Sequence, residues 1–178
     1  MPDNVSATML ESVLDNLSAN EPAALERLFD VLRIPSISTV EEHAPDCQKA
    51  AEWFAAELTE LGFSASVRQT AGRPVVVAHS DEAPSDAPHV LYYGHYDVQP
   101  PDPVELWTTP AFEPALVDGP AGKRIVARGA ADDKGQVMIW LEAFRSWRAV
   151  TGRLPVRVTV LLEGEEETGS PSLAPFVE

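Results

Sequence analysis

The sequence has a single cysteine, Cys47, and few cations, with 13 Lys and Arg against 28 Asp and Glu for a net charge of −15. One cysteine cannot form a disulfide within the chain, which favours a reducing compartment. Nucleic acid and anionic membrane surfaces are poor partners, because binding to either needs clustered positive charge. No apolar run approaches the roughly 20 residues that span a bilayer. The first ten residues also lack the basic start and apolar stretch of a signal peptide. We therefore expect a cytoplasmic protein.

Apolar residues make up 44% of the 178 positions, an ordinary share for a globular protein. Helical periodicity predicts helices over residues 1–17, 22–34, 46–62 and 136–149, and a last helix that begins at Ser170 and Pro171. Strand patterns cover residues 63–70, 73–80, 89–98 and 156–164, with a hairpin around Asp118–Gly119. This alternation predicts an α/β domain, in which a largely parallel mixed sheet carries helices on both faces.

Three polar clusters follow apolar strands or lead into a helix: Gly94–Asp97, Ala131–Gly135 and Glu163–Glu167. In open α/β sheets, ligands bind beyond the carboxyl ends of the strands, so we expect the clusters to meet there. Each cluster alone also has a structural explanation. The first can be a histidine bonded to a nearby aspartate, the second a helix cap and the third a solvated acidic turn.

Taken together, one imidazole and several carboxylates form a donor set for a divalent cation such as zinc or manganese. His95 and Asp97 are two positions apart and share one face of a strand, which suits a metal ligand with a carboxylate behind it. One of several adjacent carboxylates can bind metal while another acts as a general base. These residue types do not by themselves choose among Glu165, Glu166 and Glu167. The other histidines are expected to be surface or structural residues: His43, His79 and His89.

Four strings occur in order between Leu91 and Ser170: YYGHYDVQP, ELWTTPAFEP, ARGAADDKGQ and EGEEETGS. Together with IPSIS near the N-terminus, they resemble the superfamily of co-catalytic zinc peptidases that includes carnosinases, acetylornithine deacetylase and succinyl-diaminopimelate desuccinylase. The form HYDVQP, with Gln99 and Pro100, and the string EGEEETGS are most similar to the carnosinase-like dipeptidase branch.

The resemblance implies two divalent metal ions, with zinc as the first choice and manganese or cobalt as alternatives. It implies that His95 binds one ion, Asp132 bridges both and Glu167 binds the second. Asp97 and Glu166 are implied to be the catalytic residues. In these roles Asp97 holds the His95 imidazole and Glu166 is the general base. The implied reaction is hydrolysis of dipeptides or short peptides by a water shared between the two ions.

The resemblance further implies a cis peptide between Asp132 and Asp133. It also implies parts that this sequence does not contain: a lid or dimerisation domain, and a C-terminal part of the catalytic domain with further acidic and histidine ligands. We therefore interpret residues 1–178 as the N-terminal part of a metallopeptidase catalytic domain. This part is expected to be inactive alone and to act within a homodimeric full-length protein. The alternatives are an N-acyl amino-acid deacylase of the same superfamily and a non-catalytic peptide-binding domain.

Overall fold

A computed structural model describes residues 7–178 of the chain. Its helices and strands are, in chain order, α1 (Ala7–Ala19), α2 (Glu21–Leu32), α3 (Ala44–Glu60), β1 (Ser64–Arg68), β2 (Val75–Ser80), β3 (His89–His95), β4 (Ala115–Gly119), β5 (Gly122–Val126), α4 (Lys134–Thr151), β6 (Arg157–Glu163) and α5 (Leu173–Val177). Every predicted helix and strand has a counterpart, although the start of the first predicted helix lies outside the described residues. None of the described helices is long and apolar enough to cross a membrane.

Two predicted features are displaced from their expected positions: the start of the last helix and the turn of the hairpin. The last helix begins at Leu173 rather than at Ser170, because Ser170 has a φ of 54° and its N–H donates to the carbonyl of Glu165. The hairpin pairs Gly119 with Gly122, so its turn is formed by residues 120–121, just after the expected pair. Both errors are local, and the neighbouring elements keep their predicted type.

Four strands form one sheet in the order β1-β2-β6-β3, while β4 and β5 form a separate hairpin. The mixed sheet and the α/β class agree with the sequence prediction, but the expected predominance of parallel pairs is wrong for the described strands. Only β3 and β6 run parallel, whereas β2 is antiparallel to both β1 and β6. The direction of a pair depends on how distant strands cross over, and hydropathy along one strand carries no record of it.

The core lies between one face of the sheet and the helices α3 and α4. From the helices, Phe54, Leu58 and Leu141 are completely buried, and from the sheet, Val76 and Val160 are equally buried. Burying such a side chain stabilises the fold by roughly 1.5–3 kcal/mol relative to leaving it in water. The helices α1 and α2 pack on α4, further from the sheet.

The opposite face of the sheet is open, so the expectation of helices on both faces is wrong for the described part of the chain. Leu91 and Tyr93 of β3 expose 65% and 44% of their surface there. On the neighbouring strands, His79 is exposed and Thr159 is partly exposed. The prediction came from the alternation of strands and helices along the chain, but alternate residues of β3 face the core and the solvent.

Candidate metal centre

The strands β3 and β6 end side by side, in a parallel pair that sets His95 opposite Glu163. Beyond β3 the chain reaches Asp97, whose carboxylate accepts the backbone N–H groups of Glu166 and Glu167 at 3.2 Å and 3.1 Å. The segment that leads into α4 also reaches this place, where the Oδ1 of Asp132 lies 3.0 Å from the Nε2 of His95. The three polar clusters therefore meet at one edge of the sheet.

His95 lies within a ring of oxygen atoms. Its Nδ1 faces Asp97, 3.1 Å from the backbone carbonyl oxygen and 3.3 Å from Oδ1. Its Nε2 faces Asp132 and, at 3.8 Å, the Oε2 of Glu166. Burial alone lowers the pKa of His95, but the Asp97 and Asp132 carboxylates outweigh that effect and raise this pKa to about 9. The surroundings of Nε2 thus favour positive charge, whether a proton or a metal ion supplies it.

Asp97 is completely buried, and two donor groups face each of its carboxylate oxygens. Its Oδ1 faces His95 and the N–H of Glu166, and its Oδ2 accepts the Ser38 hydroxyl at 2.5 Å and the N–H of Glu167. Sequence reasoning placed Asp97 behind the imidazole but missed the hydroxyl and both amides. The only sequence signal for Ser38 was its position in the string IPSIS.

At the start of α4, the two aspartates differ in their surroundings. The side chain of Asp132 is 74% exposed and points to His95. Asp133 occupies the helix N-cap without capping the helix through its side chain. Its Oδ2 instead accepts the backbone N–H of His95 at 3.1 Å, and burial raises the pKa of this carboxyl. The Asp132–Asp133 peptide is cis, as the resemblance implied.

Lys134 is completely buried directly after this pair, and sequence reasoning gave it no role. Its Nζ donates to the carbonyl oxygens of Val31 at 3.1 Å and Ile34 at 2.7 Å. These carbonyls belong to the end of α2 and the residues after it, where a helix leaves acceptors without partners. Burial lowers the pKa of Lys134 to about 7. The lysine therefore links the end of α2 to the segment that bears Asp132.

Glu163 at the end of β6 and Glu165 in the acidic loop after it are buried, and each accepts a hydrogen bond from that loop. Glu163 accepts the hydroxyls of Tyr93 and Ser170, the latter at 2.8 Å. Glu165 accepts the backbone N–H of Ser172 at 3.2 Å. Both carboxylates are more than nine-tenths buried. Of the three glutamates that the sequence left open, Glu165 is therefore the one that faces away from His95.

The remaining two glutamates face the site in different ways. Glu166 is 45% exposed and directs its carboxylate toward the Nε2 of His95. The Oε2 of Glu167 accepts the side-chain amide of Gln99 at 2.8 Å. The structure therefore brings His95, Asp132 and Glu166 together through their side chains, whereas Glu167 joins them through its backbone N–H.

The pair of His95 and Asp132 fits a divalent ion between a buried imidazole and an exposed carboxylate. The 3.0 Å between the Nε2 of His95 and the Oδ1 of Asp132 suits two atoms that bind one zinc ion with bonds of about 2.0–2.2 Å. Asp97 fixes the far nitrogen of the imidazole, as carboxylates commonly do behind histidine ligands. Within residues 7–178, however, no three His, Cys, Asp or Glu side chains are arranged to hold a metal ion.

The other three histidines lie away from this centre. His79 and His89 contact the Thr159 hydroxyl on the open face of the sheet, at 3.0 Å and 2.8 Å. His43 contacts the Asp46 carboxylate at 2.7 Å near the start of α3. These contacts are structural or at the surface, in line with the sequence expectation.

Comparison with known proteins gives several dipeptidases among the relatives of the chain. The chain is 34% identical over 154 residues to a cysteinylglycine-S-conjugate dipeptidase of Corynebacterium striatum, covering 86% of the chain and 33% of that protein. It is 32% identical over 182 residues to the Cys-Gly metallodipeptidase DUG1 of Candida albicans, covering 94% and 37%. The crystal structure of human carnosine dipeptidase 1 superposes with a TM-score of 0.86 at 29% identity, covering 99% of the chain and 38% of that structure.

The chain thus spans about a third of the length of the curated relatives it matches. The matched structure has the same arrangement of helices and mixed sheet. Residues 91–178, which carry His95, Asp132 and the acidic loop, match the family described as Peptidase family M20/M25/M40. The chain therefore contains a peptidase M20 domain and belongs to that family.

Proposed function

We propose that the chain forms the metal-binding part of a metal-dependent dipeptidase that hydrolyses dipeptides or short peptides. The observation that carries this proposal is the convergence on the Nε2 of His95, where Asp132 lies at 3.0 Å and Glu166 at 3.8 Å. The relatives include dipeptidases that act on Cys-Gly and its S-conjugates, which supports dipeptides as the substrate class.

In this proposal, His95 and Asp132 hold the first of two divalent ions, and Asp132 and Glu167 hold the second. Zinc is the first choice, because imidazole and carboxylate ligands suit it. Such ions, when bound, polarise a scissile carbonyl and acidify water. Asp97 fixes the tautomer and orientation of the His95 imidazole. Glu166 accepts a proton from the attacking water and returns it to the departing amine, as a general base positioned within reach of the reacting groups does.

This ligand inventory has consequences for the chain alone. Two protein ligands for each ion fall short of the three that a catalytic zinc ion normally has. We propose that the missing acidic and histidine ligands, the lid or dimerisation domain and the homodimer belong to a longer polypeptide that includes residues 1–178. The 178-residue chain would then bind zinc weakly and turn over no substrate.

The test is release of amino acids from a dipeptide panel, with N-acetyl and N-succinyl amino acids as a second panel. Both panels are assayed with zinc or manganese, with and without chelator, on the 178-residue chain and on the longer polypeptide. The expected result is chelator-sensitive hydrolysis of dipeptides by the longer polypeptide only. Hydrolysis of the N-acyl panel alone would replace the dipeptidase by a deacylase. Turnover by the 178-residue chain would refute the ligand inventory, and silence of the longer polypeptide on both panels would refute the enzyme.

A further inference from the structure

The segment Ile34–Ser38, which spells IPSIS, is buried beside the site although none of its side chains faces the Nε2 of His95. Ser36 is completely buried and Ser38 is 6% exposed. The segment pairs with the chain beyond β3, since Ile37 forms a parallel bridge with Val98 and the Val98 N–H donates to the Ser36 carbonyl at 3.0 Å. This pairing fixes the segment against the two residues that follow His95.

The two serines of this segment use their hydroxyls differently. Ser36 donates to the backbone carbonyl of Tyr96 at 2.7 Å, a contact that ties one piece of backbone to another. Ser38 donates to the Oδ2 of Asp97 at 2.5 Å. A hydrogen bond to a carboxylate is stronger than one between neutral groups. The Ser38 bond also holds the side chain of Asp97, which in turn contacts His95 and the two backbone amides of the acidic loop.

The Asp97 carboxylate can satisfy these donors only in one rotation. Its Oδ1 must face His95 and the Glu166 amide while its Oδ2 faces the Glu167 amide. Without the Ser38 hydroxyl, Oδ2 would keep a single protein donor in a fully buried position. Buried acceptors are costly to leave short of donors, and the three donors that remain would fix the rotation of the carboxylate less firmly. Any turn of the carboxylate from this position moves it away from the imidazole or away from the acidic loop.

We propose that Ser38 is a positioning residue for the metal site, which fixes the rotation of the Asp97 carboxylate and thereby the places of His95, Glu166 and Glu167. This inference deepens the proposed function and rests on it, because it assumes that these residues serve metal binding. The other end of the segment is anchored by Lys134, which donates to the Ile34 carbonyl next to the Asp132 loop. The buried segment therefore connects the parts of the site that come from β3, β6 and α4.

The test compares Ser38→Ala with the matched control Ser36→Ala in the 178-residue chain. Each variant loses one buried hydroxyl from the same segment, so both are expected to lower the thermal unfolding midpoint by similar amounts. Zinc affinity, measured with Zn²⁺ alone against a chromophoric chelator, should fall about tenfold in Ser38→Ala, since such supporting partners contribute roughly 10–100-fold. It should stay unchanged in Ser36→Ala. Ser38→Thr, which keeps the hydroxyl, should restore the affinity.

A second readout needs no metal. In protein with ¹⁵N-labelled histidine, the His95 imidazole resonances should shift in Ser38→Ala and keep their wild-type positions in Ser36→Ala. Unchanged His95 resonances in Ser38→Ala would overturn the positioning role. Equal losses of zinc affinity in the two alanine variants would overturn it as well. Failure of the wild-type chain to bind zinc would instead contradict the weak zinc binding proposed for His95 and Asp132, and the resonances would still decide the role of Ser38. If Ser38→Ala does not fold, Ser38→Cys, with its weaker donor, is expected to shift the same resonances.

Discussion

His95 and Asp97 are enclosed by protein, with 8% and none of their side-chain surface exposed, whereas Asp132 and Glu166 expose 74% and 45% of theirs. The enclosed pair is fixed by hydrogen bonds to the neighbouring strand, loop and helix. The exposed carboxylates lie in water beside one another, in a chain whose net charge is already −15. The buried half of the site is therefore built by folding, while like-charge repulsion in the exposed half would be relieved by the cation proposed to bind there.

The largest expected effect comes from the exposed half, with Asp132→Ala. If Asp132 bridges both ions, this variant loses both together, while the unfolding free energy changes by no more than about 0.5 kcal/mol, as is usual for exposed positions. The measurements are zinc content after equilibrium dialysis and urea unfolding. Asp118→Ala removes an even more exposed carboxylate from the β4–β5 hairpin and serves as the control that keeps its zinc. A variant that retained either ion would refute the bridging role.

The next effect separates the two glutamates of the acidic loop. In the longer polypeptide, Glu166→Gln should lower kcat by roughly 10²–10⁴-fold, the usual contribution of a general base, and leave KM nearly unchanged. Zinc content should stay at the wild-type level in this variant, because Glu166 is assigned no ligand role. Glu167→Gln is the informative partner variant, since it should lose the second ion. Wild-type turnover by Glu166→Gln would assign the base to another residue.

Within the buried half, the expected effect is on stability rather than on turnover alone. Asp97→Ala removes the acceptor of Ser38 and of two backbone amides. It should lower the unfolding free energy of the metal-free chain by about 3–5 kcal/mol, as breaking a buried charged pair does. The control is Asp46→Ala, which breaks the half-exposed pair with His43 and should cost at most about 1 kcal/mol. Equal losses of unfolding free energy in Asp97→Ala and Asp46→Ala would contradict the structural role assigned to the buried half of the site.

The smallest effect is a pH dependence that belongs to the buried half. Because the pKa of His95 is raised from 6.5 to about 9, the folded chain binds its proton more tightly than the unfolded chain does. The resulting stability is present in full below pH 6.5 and is lost as pH rises through 9, about 3 kcal/mol in all.

The check is the difference in unfolding free energy between the metal-free wild type and His95→Gln, followed from pH 6 to pH 10. This difference should shrink as pH rises. The pKa of Lys134, which burial lowers to about 7, gives a slope of opposite sign in both proteins and cancels in the difference. A difference that stayed constant over this range would contradict the raised pKa.

The sequence predicted the parts of the site that depend on local pattern. His95 and Glu163 end apolar runs, and strand ends of this kind mark ligand sites in α/β sheets. The choice among the three glutamates came from the family resemblance, because side-chain type alone carries no direction. The turn of Glu165 toward Ser172 became visible only when the loop was folded.

Contacts between distant parts of the chain account for what was missed. Ser38 and Asp97 are 59 positions apart, and Lys134 reaches back 100 positions to Ile34, so no local pattern joins them. The antiparallel pairing of β2 with β6 and the open face of the sheet likewise depend on how the strands assemble. For Ser38 and Lys134, the residue type was compatible with an ordinary structural role. Their importance for the site became visible only from the partners that they contact in the folded chain.

The parallel pairing of β3 with β6 also sets the order of events during folding. The two strands are separated by the hairpin and the whole of α4, so their pairing closes a long loop, which is an intrinsically slow step. Until it closes, Asp97 has neither of the amide donors that the acidic loop provides. A chain emerging from the ribosome therefore cannot form the proposed metal centre until β6 has been made and docked. If these residues bind an ion as proposed, its binding would report that the sheet is complete.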